Sequence, residues 1–153
     1  CLDLFAGSGA LGFEAASRGA AKVVMVDHDW RIIQCLRSHV RMLAADNIEV
    51  AYAEAVDFLR DPWPGARLGI ANAGTHPRTL GGAFDIVFLD PPFGADLLEI
   101  ACHYLEGNRW VRRGALVYLE AKHTAQPVEV PQGWVSYRSR RAGQVEYCLF
   151  ECL

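Results

Sequence analysis

Apolar and polar positions alternate along this chain in blocks, and the blocks differ in kind. Short apolar runs, "AKVVMVD" at 21–27 and "AFDIVFLD" at 83–90, read as strands buried on both faces. "CLDLF" at 1–5, "IEVAY" at 48–52 and "GALVYLEA" at 114–121 read as three more strands. Between them the period lengthens. "ALGFEAASRG" is a helix closed by Gly19. Residues 30–44 place Ile33, Leu36, Val40 and Leu43 on one helical stripe, with Arg31, Arg37 and Arg41 off it. "AVDFLRD" is a short helix and "ADLLEIACHYLEG" a longer one that ends at Gly107. The end of the chain differs: "GWVSYRSRR", then Ala142-Gly143, then "QVEYCLFEC", which is the pattern of a β-hairpin.

Strands alternating with helices predict an α/β fold. The sheet is expected to be mostly parallel and seven-stranded, with helices on both faces and the C-terminal hairpin as its antiparallel part. A length of 153 residues, 52% of them apolar, suits one domain over 1–153 with a sizeable core. Residues 61–83 are rich in proline and glycine and have no clear period, so they are expected to form a flexible insertion. The chain opens on Cys1 inside a strand pattern, which suggests that an N-terminal portion is missing. No apolar run is long enough to span a bilayer and no signal peptide opens the sequence, so a cytoplasmic protein without a membrane partner is expected.

Composition narrows the chemistry. The five cysteines show no CxxC pair, which favours reduced thiols over a disulfide framework. The five histidines, His28, His39, His76, His103 and His123, form no ligand spacing, and no metal is expected. A net charge of −3 does not by itself advertise a nucleic-acid partner. Two basic clusters stand against it as candidate phosphate footprints: Arg109, Arg112 and Arg113, and Arg138, Arg140 and Arg141.

The first chemical signal is "DLFAGSGALG". Gly7, Gly9 and Gly12 fall at GxGxxG spacing between a strand and a helix, where glycines permit a tight turn and a close ligand approach. Asp27 ends the next strand, twenty positions after Gly7, where a carboxylate can accept both hydroxyls of a ribose. A nucleoside cofactor is implied, and the fingerprint alone leaves NAD and S-adenosylmethionine both open. Asp3 is placed to attract an ammonium, and Glu54 with the backbone of Ala55 to hold an adenine edge. Each also has a plain structural reading, Asp3 as a polar strand end and Glu54 as a helix cap.

The second signal is "FLDPPFG". Two prolines cannot continue a sheet ladder, so the fourth strand ends in a stiff corner. Pro92 pushes Pro91 towards an extended conformation. Asp90 and the Pro91 carbonyl then form a pair of acceptors, suited to an exocyclic amine with two N–H donors, and Phe93 offers a stacking face.

"CLDLFAGSGALGFEAASRGA", "VFLDPPF" and "AGQVEY" together resemble the RsmD-type ribosomal RNA methyltransferases, Rossmann-like class I enzymes that use S-adenosylmethionine. The resemblance runs nearly end to end apart from 61–83. It implies methyl transfer to the exocyclic amine of a guanine in small-subunit (16S) ribosomal RNA, within an assembling subunit, by a monomer that releases S-adenosylhomocysteine. It implies Asp90, Pro91, Pro92 and Phe93 as the catalytic motif. Asp3, Phe5, Gly7, Gly9, Asp27, His28, Glu54, Ala55 and Asp90 would form the cofactor site. The residues themselves leave room for a DNA adenine or cytosine amino-methyltransferase, an NAD-dependent dehydrogenase, or a silent cofactor-binding module.

Overall fold

The computed structural model describes residues 1–60, 84–92, 95–124 and 127–153. The expected insertion at 61–83 and the stacking ring Phe93 lie outside the described residues.

Seven strands form one sheet in the order β3-β2-β1-β4-β5-β7-β6. They are β1 (Leu2–Asp3), β2 (Val23–Asp27), β3 (Ile48–Tyr52), β4 (Phe84–Leu89), β5 (Val111–Lys122), β6 (Trp134–Ala142) and β7 (Val145–Cys152). β1 to β5 pair in parallel, and β7 enters antiparallel between β5 and β6. This is the expected sheet, with the hairpin closing it at one edge.

Side-chain alternation along β2 explains why helices are needed on both faces. Val24 and Val26 join Leu4, Val87, Phe58 and Leu98 in one core. Val23 and Met25 point the other way and join Ile33, Leu36 and Val50 in a second core. The first core is covered by α3 (Ala55–Arg60) and α4 (Ala95–Gly107), the second by α1 (Ala10–Ser17) and α2 (Trp30–Met42). Trp110 anchors the first core; its indole N–H donates to the carbonyl of Leu59 at 2.8 Å, satisfying its one polar group. Among the described residues, no helix is long and apolar enough to cross a membrane.

Three boundaries differ from the sequence pattern. β1 has only two regular ladder residues rather than five. The amides of Leu4 and Ala6 still reach the carbonyls of Phe88 and Val26, so the segment stays tied to both neighbours while it bends into the glycine turn. α2 ends at Met42, and Ala44 adopts a φ of 49°, which leaves Leu43 61% exposed instead of on the buried stripe. β5 starts at Val111, three residues early. Between Phe84 and Ile86 its register jumps from Val111 to Leu116, and Gly114, at a φ of 80°, lies in the bulge.

Candidate active site

The functional residues gather because parallel strands bring their carboxyl ends to one edge. β1 and β4 are sheet neighbours, so the glycine turn after β1 and the proline corner after β4 border one crevice. The crevice encloses about 470 Å³, with Asp3, Phe5, Gly7, Asp27, His28, Glu54, Ala55, Asp90 and Pro92 in its walls. Of the cofactor residues expected from the sequence, Gly9 alone is absent from the lining. It stands behind the wall at a φ of 82°, and a Cβ there would come within 2.6 Å of Leu36 and 2.7 Å of Phe13. Glycine is required at this position for close helix packing and for backbone shape together.

Asp27 does more than the sequence implied. Its Oδ2 accepts the Gly7 N–H at 2.9 Å, and its Oδ1 accepts the Asp29 N–H at 2.8 Å. The carboxylate thus ties the glycine turn to the loop after β2. Asp29 in turn caps α2, accepting the Arg31 N–H at 2.8 Å and pairing with its guanidinium. That guanidinium holds the Asp29 carboxyl down at about 2. His28 is exposed, with its Nδ1 3.8 Å from Asp27 Oδ1, too far for a hydrogen bond.

Asp3 is nearly inaccessible, at 2% exposure. Its Oδ2 accepts the Gly12 N–H at 3.0 Å, so a strand residue caps the first turn of α1, whose own cap position is Gly9. Burial pushes its carboxyl up to about 6; the Gly12 hydrogen bond opposes this, and the charges of Asp90 and Asp27 add to it. Asp90 is also raised, by partial burial first and then by Glu120. Asp3, Asp27 and Asp90 share this cavity with two further carboxylates, Asp29 and Glu54.

Asp90 also lines a second cavity, of about 810 Å³, together with Pro91, Glu120 and Glu99. Pro91 is buried and Pro92 exposed, so the corner presents its two rings to different surroundings. Glu120 carries no motif, and the sequence pattern passed over it inside an apolar run. The sheet register finds it: Leu89 pairs with Leu119, so Asp90 and Glu120 are the next residues on adjacent strands.

The register also separates the two basic clusters. Arg112 and Arg113 stand at the amino end of β5, away from the crevice, and Arg112 is ion-paired with Asp85. Glu120 pairs with Tyr147, and Tyr147 with Arg140, so the exposed arginines of β6 end at the crevice edge.

This sheet order, with its crevice at the carboxyl ends of β1 and β4, is that of a Rossmann-like methyltransferase fold. Comparison with known proteins gives the family. The family model described as Conserved hypothetical protein 95 matches residues 1–151. Ribosomal RNA small subunit methyltransferase D of Escherichia coli is 38% identical over 151 residues, which cover 99% of this chain and 67% of that protein. The protein of the same name from Haemophilus influenzae is 35% identical over 153 residues, covering 99% of this chain and 70% of its own length. A solved structure named for a methyltransferase of Escherichia coli superposes with a TM-score of 0.84 at 37% identity, covering 99% of this chain and 74% of that one. The chain belongs to this family, that of the ribosomal RNA small subunit methyltransferase D proteins, and it is a methyltransferase.

Proposed function

We propose that the crevice holds S-adenosylmethionine and that the chain directs its methyl group to the exocyclic amine of a guanine in small-subunit ribosomal RNA. The observation that carries this reading is Asp90, a residue that lines both the crevice and the second cavity. A residue shared by two cavities can serve the meeting of a cofactor with a substrate.

The residues present fit the cofactor. Asp3, Asp27 and Asp90 surround a space that favours cationic centres, an ammonium and a sulfonium, and opposes the pyrophosphate of a dinucleotide. Both oxygens of Asp27 are engaged by backbone N–H groups, yet each keeps a lone pair that can accept a ribose hydroxyl. Glu54 and Ala55, after β3, are assigned the adenine end, and Gly7 the close backbone approach. Phe5 and His28 complete that wall.

The bound cofactor supplies a methyl group on a positively charged sulfur, electrophilic as it stands. The protein's part is placement and charge. Asp90 and the Pro91 carbonyl accept the two N–H groups of the amine, aim its lone pair and oppose the positive charge that develops on nitrogen, which then sheds one of its protons to solvent and becomes a neutral methylated amine. The reading calls on no metal and no covalent nucleophile. It takes 1–153 as one domain, acting as a monomer in the cytoplasm on RNA of an assembling subunit. The names of the relatives support the RNA, and the motif resemblance supports the guanine.

Tritiated methyl transfer by the whole protein to naked small-subunit RNA, to small subunits and to DNA tests the reading. Label is expected in RNA of the small subunit. Label in DNA alone would contradict it.

A further inference from the structure

Among the described residues, the second cavity is walled by five carboxylates, Asp90, Asp96, Glu99, Glu120 and Glu129, against one cation, Lys122, a surface suited to the donor edge of a base. Resting on the function proposed above, we propose that Glu120 reads the target base, accepting N1–H of guanine while Asp90 and the Pro91 carbonyl hold the neighbouring amine.

Three observations lead to Glu120 rather than to another acid of the cavity. Its register position is the one beside Asp90, one step past the Leu89–Leu119 pair, and both residues line the same space. Its Oε1 is held by the Tyr118 hydroxyl at 2.7 Å, which orients the carboxylate and leaves Oε2 for a ligand. Glu99, by contrast, is engaged at Oε1 by the Glu129 N–H at 3.2 Å and belongs to α4 rather than to the sheet edge.

The chemistry of the bases does the rest. An exocyclic amine is flanked by a ring N–H donor only in guanine. In adenine and cytosine the adjacent ring nitrogen is an acceptor. A fixed carboxylate next to the amine acceptors therefore completes a row of N–H···O contacts with guanine and sets acceptor against acceptor with the other two. Glu120 is half-buried, and a base seated over it would leave the acceptor unpaired, a stronger rejection than shape alone. The carboxylates on either side of the Asp90 corner favour the donor edge of a base turned out of its stack.

The test uses small-subunit RNA in which the nucleotide methylated by the parent protein is mapped and then replaced by 2-aminopurine, which keeps the 2-amine but has an acceptor at N1. The parent protein is expected to prefer guanine by roughly 10- to 100-fold in single-turnover rate. Glu120→Gln, whose amide can donate as well as accept, should bring the two rates within about threefold of each other. Tyr118→Phe, which frees the carboxylate without removing it, should reduce the preference to an intermediate value. Preference at the parental level in both variants would overturn the role of Glu120 while leaving the function standing. Transfer by the parent to neither RNA would overturn the function and this inference together.

Discussion

The main-chain N–H of Gly7 donates to Asp27 Oδ2 at 2.9 Å, joining the turn after β1 to the end of β2 across twenty residues of sequence. The acid that the motif assigns to a ribose is thus also the clamp that shapes the glycine turn. On the proposed reading, cofactor affinity and local stability are coupled through this one side chain, which is only 8% exposed.

Asp27→Asn should therefore damage both. The amide keeps one acceptor but turns a donor towards either Gly7 or Asp29, and an unsatisfied buried N–H costs about 1–3 kcal/mol. Thermal unfolding should show a lower midpoint, and calorimetry should show cofactor binding weakened more than tenfold by this loss with that of the ribose contact. A variant with parental stability and weak binding would mean that the clamp is unimportant and the acid serves the ligand alone.

Asp3 should give cofactor binding a pH dependence. Its carboxyl titrates at about 6 in the folded chain against an ordinary 3.8, so the folded state binds the extra proton between those values. The contribution of this group to stability is present below the ordinary value and falls as pH rises through about 6. Binding of a cation has the opposite sign, since it favours the ionised acid. Affinity for S-adenosylmethionine should fall by about tenfold from pH 7 to pH 5, with proton uptake when the cofactor leaves. Asp3→Asn should flatten this profile; an unchanged profile would assign the titration to another group.

Much of this was legible in the sequence, for physical reasons that differ by residue. β2 is buried on both faces, and its unbroken "VVMVD" announces that directly. The glycine turn was legible because Gly7 and Gly9 take φ of 50° and 82°, which glycine favours, and the proline corner because two prolines cannot continue a ladder. Leu43 misled because it keeps the helical period one residue past the end of α2 at Met42. The second role of Asp27 left no pattern, since its partners are main-chain amides. Glu120 was silent for a related reason: its meaning comes from the strand beside it, and register across a parallel sheet is not written in local sequence.

The arginines at the end of β6 should contribute to RNA affinity, and those at the start of β5 should not. Arg140→Glu with Arg141→Glu is expected to weaken RNA binding and to reduce the slope of log K against log salt by about 1–2. Arg112→Glu with Arg113→Glu should leave that slope unchanged, since these residues stand at the opposite edge of the sheet. Filter binding over a salt series measures both; equal effects would mean that RNA does not approach from the crevice edge.

Asp90→Ala tests the central claim most directly. Cofactor affinity and single-turnover methyl transfer at saturating small-subunit RNA should be measured on the same preparation of the whole protein. The Asp90 acceptor acts on the amine as charge develops, and removing one such contact costs ~10²–10³-fold in rate. The account predicts that loss with a much smaller fall in cofactor affinity, because Asp3 and Asp27 remain to face the cationic centres and Gly7 and Glu54 to hold the nucleoside. Transfer at the parental rate would contradict it and would reduce the corner after β4 to a turn.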